Sequence, residues 1–266
     1  MQESLKGNNG NFLWRIATLA SIIAAFGINV ASNIFPLNGL SIGAISNTIF
    51  KDVLIIPANY AFIIWGLIYL GLFAFGIYQI LPSQRNESYL RKTGFFVALA
   101  SIAQIFWVYL FLSRLFTLSL LAMVLILLPL IAAYLSLDIS TVSTTNIRIN
   151  ISKWFKWCVR FPISIYLGWI SVATIVNVAC ALSAQNWNGW GVSSENWAII
   201  MAVVATIVSL VVILQRRDVA YSAVTVWALV AIAVKHWDFQ SLRIVALLGA
   251  FVLFILMLVK SPSLER

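Results

Sequence analysis

Charge is what this chain of 266 residues has least of: Asp, Glu, Lys and Arg make up 9% of it, where a soluble domain carries about 25%. With 62% hydrophobic residues beside it, that scarcity excludes a chain bathed in water on all sides. The eight carboxylates (Glu3, Asp52, Glu87, Asp138, Glu195, Asp218, Asp238 and Glu265) fall in loops or at the ends of apolar runs, as does the single histidine, His236. Ion-coupled carriers keep such groups inside their spans as relays, so coupled transport is not expected. There is no metal-ligand spacing, no nucleophile beside a base and no phosphate-cradling glycine loop, so neither catalysis, a metal nor a cofactor is expected. The two cysteines, Cys158 and Cys180, lie far apart without a pairing pattern and read as bystanders in or near the membrane.

What is abundant is apolar sequence in long runs. Eight can be read, at roughly 13–31, 58–81, 94–113, 116–137, 160–184, 197–214, 219–235 and 241–259. A helix needs about 20 such residues to cross a hydrocarbon core of roughly 30 Å, and there each backbone polar group must pair within its own segment or a closed barrel. Barrel strands would be about ten residues long and alternate in polarity. These runs do neither, so an all-α integral membrane protein of about eight transmembrane helices is expected. The third and fourth runs are separated only by Ser113-Arg114-Leu115, which implies a tight antiparallel hairpin. Gln215-Arg216-Arg217-Asp218 forces a similar turn later.

The formal charge of +9 is not the footprint of a nucleic-acid partner, because its charges sit in short loops, where basic residues set topology. Placing both termini on one side groups Lys6, Arg15, Arg85, Arg91, Lys92, Arg148, Lys153, Lys156, Arg160, Arg216, Arg217, Lys260 and Arg266, 13 residues, against Lys51, Arg114, Lys235 and Arg243. That bias puts both termini in the cytoplasm and supports an even number of spans. The plasma membrane of a bacterium suits this reading, with an organelle or thylakoid membrane left open. A cleaved signal peptide is the alternative for the first run, since Val30-Ala31-Ser32 offers small residues near its end. Its polar start and spanning length favour a retained helix.

Two connections stand out. Residues 32–57 mix turn formers with apolar residues, too polar to span and too apolar for a free linker. Such a segment is expected to fold back on the bundle or lie in the interface, on the outer side. Residues 138–159 are rich in Ser, Thr and Asn and then basic and aromatic through Lys153, Trp154, Lys156 and Trp157. They suggest a short interfacial helix facing anionic lipid.

Inside the spans, aromatic rings and neutral amides recur at helical spacing. Trp65 and Tyr69 are four apart on one face. Gln104, Trp107 and Phe111 follow an i, i+3, i+7 stripe, and Tyr166, Trp169, Ala173 and Asn177 form another. A buried amide must find a partner, so these faces should point into the bundle. One reading is packing, with an interfacial belt made by Trp14, Trp154, Trp157, Trp187, Trp190, Trp197 and Trp237 near helix ends. The other is a pocket for a large planar apolar ligand, which needs flat rings and a few hydrogen-bonding groups. Trp107 and Trp169 sit well inside their spans and fit the pocket better than the belt.

These residues also resemble a known family. Residues 57–69, PANYAFIIWGLIY, are similar to the second-helix signature of the tryptophan-rich sensory protein/translocator protein family: a proline, an aromatic entry, then tryptophan and tyrosine four apart. Residues 166–177, YLGWISVATIVN, look like its fifth-helix signature, and Gln104-Ile105-Phe106-Trp107 with Phe111 is similar to its third, where the family has asparagine in place of Gln104. The family's Gly-Pro before the second-helix tryptophan is absent. The resemblance covers residues 13 to about 185 and implies two parts, a five-helix bundle over 1–190 and three further helices over 191–266. It implies a binding or sensory protein for tetrapyrroles such as porphyrins, or for sterol-like lipids. The implied ligand residues are Trp65, Tyr69, Gln104, Trp107, Phe111, Tyr166, Trp169, Ala173 and Asn177, with the segment from Pro36 to Pro57 as a lid. Three alternatives stay open: an uncoupled transporter or efflux facilitator for such ligands, a scaffold whose stripes only pack, and, last, a tetrapyrrole-modifying enzyme. The expected partners are a hydrophobic small molecule and membrane lipid, and a homodimer is open, the last three helices being one surface for it.

Overall fold

Each apolar run of the sequence becomes a helix, because a chain with nothing else to bond to in hydrocarbon closes its backbone hydrogen bonds locally. The computed structural model describes residues 2–84, 87–142 and 153–260. The long helices are α1 (Gln2–Ile34), α3 (Ile64–Ile80, entered through a 3-10 turn at Asn59–Ile63), α4 (Ser88–Leu112), α5 (Phe116–Val142), α7 (Phe161–Ala184), α8 (Ser194–Arg216), α9 (Val219–Lys235) and α10 (Gln240–Lys260). Two short helices complete the set: α2 (Ile42–Thr48) and α6 (Lys153–Phe155). Among the described residues there is no strand.

Among the described residues, seven helices are long and apolar enough to cross a membrane. The eighth, α9, has 17 residues, about 25 Å at 1.5 Å per residue, short of the roughly 30 Å core. It is also well wrapped in protein, with Tyr221, Val224, Ala228, Leu229, Ala231, Ile232 and Ala233 all buried.

Helix ends follow local chemistry. Ser41, Ser193 and Asp218 cap α2, α8 and α9, each side chain accepting from a backbone N–H three residues on. Arg114 and Arg217 take left-handed conformations that reverse the chain within a few residues.

Five helices close a ring. Helix α1 packs on α3 and α4, α4 on α5, α5 on α7, and α7 returns to α3. Helix α9 lies against α7 from outside, and α8 and α10 pack on α9 and on each other. The α7–α9 approach depends on Gly168, where a Cβ would come within 3.0 Å of the Tyr221 carbonyl oxygen. There are accordingly two hydrophobic clusters, one in the ring and one among α8, α9 and α10, and α9 contributes to both.

The 32–57 segment folds back on the bundle, as its composition predicts. It places Ile45, Phe50 and Ile56 in the first cluster and Leu54 and Ile55 in the second. Asn38 Nδ2 donates to the Leu112 carbonyl (3.3 Å), and three bonds tie the tail of the segment and the entry to α3 to α9. Ala58 N–H donates to Ala231 O (3.1 Å), Trp227 Nε1–H to Ala61 O (3.1 Å), and His236 Nε2–H to Ile56 O (3.1 Å).

The 138–159 connection is seen in part. Lys153–Arg160 winds as α6 and one π-helical turn directly into α7, so this portion lengthens α7 instead of forming a separate interfacial helix. Trp154 and Trp157 are exposed while Phe155 is buried. Residues 143–152 lie outside the described residues, as do Arg85, Arg148, Glu265 and Arg266.

Candidate ligand-binding site

The three stripes meet in the middle of the five-helix ring. On α3, Trp65 and Tyr69 stack at 5.7 Å between centroids, and Trp65 meets Tyr166 of α7 edge-on at 6.0 Å. The Tyr69 hydroxyl donates to Ala25 O of α1 at 3.1 Å. With its proton so used, it accepts from Gln104 Nε2 at 2.8 Å. The Gln104 oxygen in turn accepts from the Tyr166 hydroxyl. One amide in α4 thus joins α1, α3 and α7, and both of its ends are satisfied.

A second network lies one turn further along α4. Trp107 Nε1–H donates to Asn177 Oδ1 at 2.6 Å, and Asn177 Nδ2 donates to Ser119 Oγ of α5 at 3.1 Å. The Trp107 ring stacks on Phe111 at 5.2 Å, and Trp169 takes Phe62 edge-on at 5.9 Å.

Between the networks is a cavity of about 50 Å3. Trp65, Gln104, Trp107, Phe111, Trp169, Ala173 and Asn177 line it. Tyr69 and Tyr166 stand behind them and act through Gln104. Ile42 and Ser46 of α2 and Pro57 roof it, so the 32–57 segment lies over this space, while Met123 and Ile126 of α5 close the far wall. The volume admits a water-sized occupant and is well below the roughly 300–1,000 Å3 of pockets that enclose organic ligands.

Several lining residues carried little sequence signal. Met123 and Ile126 belong to a run so uniformly apolar that no face stands out. Phe62 lies within the 57–69 motif, and Cys180 continues the Trp169, Ala173, Asn177 stripe at the next helical step. The cysteine read as a bystander is therefore buried on the cavity wall.

Other groups near the ends of apolar runs are more buried than their positions suggest. Asp218 is a buried α9 cap that accepts from Tyr134 OH (2.8 Å), Ser164 Oγ (2.6 Å) and Tyr221 N–H (3.0 Å). Arg15, also buried, donates to the carbonyls of Gln79, Gln84 and Glu87, and Gln79 Nε2 donates back to Arg15 O. This clamp joins α1 to the α3–α4 turn at the end opposite the roof. Both groups have structural partners, and neither reaches the cavity.

No curated protein and no solved structure shows a significant match to the chain. The profile of the TSPO-like protein family matches residues 15–259. That span includes the stripes, the roofing segment and helices α8 and α9 with nearly all of α10. Nine-tenths of the sequence lies within it, from the buried Arg15 clamp to the last turn of α10, and the chain belongs to the TSPO-like protein family.

Proposed function

We propose that the chain is a membrane-embedded binding or sensory protein that takes a planar hydrophobic ligand, of the tetrapyrrole type, between Trp107, Trp169 and Trp65. The observation that carries the reading is convergence. Seven of the nine residues named from the stripes line one cavity, the other two orient a lining amide, and a separate chain segment roofs it. Packing alone would require none of this. Stacking contributes about 0.5–1.5 kcal/mol per ring beyond area burial, and a micromolar complex needs about 8 kcal/mol in all, within reach of two rings plus apolar burial.

At about 50 Å3 the space is closed to such a ligand as it stands. Binding therefore requires α2 and Pro57 to lift, with Trp65 or Trp169 turning aside. The ligand's plane would replace ring–ring contacts with ring–ligand contacts, while Gln104 and Asn177 meet its polar edge.

The test is a titration of protoporphyrin IX into detergent-purified protein, read by tryptophan quenching, with an unrelated tryptophan-rich membrane protein as control. Saturable binding is expected, weakened tenfold or more in Ala173→Phe, which fills the cavity, and in Trp107→Ala/Trp169→Ala. Equal, non-saturating quenching in all samples would show partition into micelles and reduce the stripes to packing.

A further inference from the structure

A larger space lies outside the ring, where α8 packs on α9 and α10 but touches α7 over only a few residues. The gap has a volume of about 410 Å3 and is bounded by α5, α7, α8 and α9. We propose that it binds one acyl chain of an anionic phospholipid, with the headgroup held at Arg216.

Shape, polarity and charge carry this assignment together. The walls are mainly aliphatic, with Ile131 of α5, Ile175 of α7, and Val204, Val208 and Val212 of α8, while Gln215, Tyr221 and Thr225 also reach the gap. Two hydroxyls on the wall ask nothing of an occupant, because Ser171 Oγ donates to Leu167 O (2.8 Å) and Thr174 Oγ1 to Ile170 O (2.7 Å) within their own helix. From Val204 to Arg216 the gap follows α8 for twelve residue steps, about 18 Å at 1.5 Å per step. Half of a roughly 30 Å core is about 15 Å, so the gap runs from one membrane surface to about the midplane. That is the reach of one chain in one leaflet. A lipid also needs no entry route, since α8 already faces the bilayer, with Val204, Val208 and Val211 exposed.

The polar end of the gap is basic. The Arg216 guanidinium lies 5.4 Å over the Tyr134 ring, Arg217 follows it at the α8 C-cap, and Arg160 is close enough to act on the same Tyr134 hydroxyl. Clustered arginines at a membrane surface favour anionic over zwitterionic lipid. Val172 borders both this gap and the ring cavity, but the proposal does not depend on a tetrapyrrole binding in the ring.

Native mass spectrometry of the full chain, extracted from vesicles of phosphatidylcholine and phosphatidylglycerol and progressively delipidated, tests it. One phosphatidylglycerol per chain should survive longest. Val208→Trp should abolish its retention, and Arg216→Gln should cut the preference for phosphatidylglycerol by about fivefold, both at unchanged thermal stability. Retention in Val208→Trp, or equal retention of the two lipids by the unsubstituted chain, overturns the proposal. If Val208→Trp does not fold, Arg216→Gln decides alone: an undiminished preference overturns it.

Discussion

Gln104 is the residue on which most of the ring's polar order rests, because it is the shared partner of two buried hydroxyls. Gln104→Leu keeps the volume roughly constant but strips the Tyr166 hydroxyl of its acceptor. An unsatisfied buried group of this kind costs about 1–3 kcal/mol, so thermal unfolding in detergent should occur several degrees lower. Tyr69 is less affected, since its bond to Ala25 survives. Trp107→Phe separates ring from N–H: it retains an aromatic face for a ligand yet leaves Asn177 Oδ1 without its donor. A protein that loses stability but keeps most of its porphyrin quenching in Trp107→Phe would show that the face binds and the N–H holds the helices. Both amides could be named from sequence because a polar group inside an apolar run is conspicuous. Their pairing with Tyr69, Tyr166 and Trp107 could not, since those partners come from helices 35 to 70 residues away.

Among the elements, α9 has the most to explain. The sequence predicts it as a span like the others, and its apolar run says no more. Its real setting is between two clusters, under the tail of the roofing segment, and its small residues and Gly168 opposite allow that close approach. Gly168→Leu should push α9 off α7 and loosen the roof with it, readable as faster hydrogen exchange at Ala58, whose N–H is held by Ala231. The His236 bond to Ile56 adds a pH dependence. Burial, the largest influence, pushes the imidazole below its usual 6.5; the Ile56 hydrogen bond pulls it up and neighbouring Lys235 pushes it down. A histidine held neutral by the fold gives stability that is complete above about 6.5 and is lost as pH falls below that value, where the unfolded chain takes up the proton first. The melting temperature should therefore fall more between pH 7 and 5 for the unsubstituted chain than for His236→Gln.

For the whole molecule, the helices and their order were legible because hydrocarbon leaves the backbone so few options, and the ring's interior faces were legible from three stripes. Cavity size was not, because it depends on how the aromatic rings turn and how far the 32–57 segment descends. The burial of Arg15 was not either. As a basic residue near the terminus it reads as a topology signal, and its acceptors are backbone carbonyls, which any sequence would supply. The charge bias makes orientation testable: if both termini are cytoplasmic, Asn38 should be labelled from outside the cell after substitution by cysteine, and Arg217→Cys only from inside. The reverse pattern would overturn the assignment of both termini to the cytoplasm.

The three bonds that hold the tail of the roofing segment and the entry to α3 against α9 also set an equilibrium. If only the lifted state admits ligand, apparent affinity equals intrinsic affinity scaled by the small fraction of molecules already open. Trp227→Phe removes the N–H held by Ala61 without touching the cavity. It should raise that fraction, so a substitution that weakens the fold would tighten binding, and helices with no contact to the ligand would act as its affinity control.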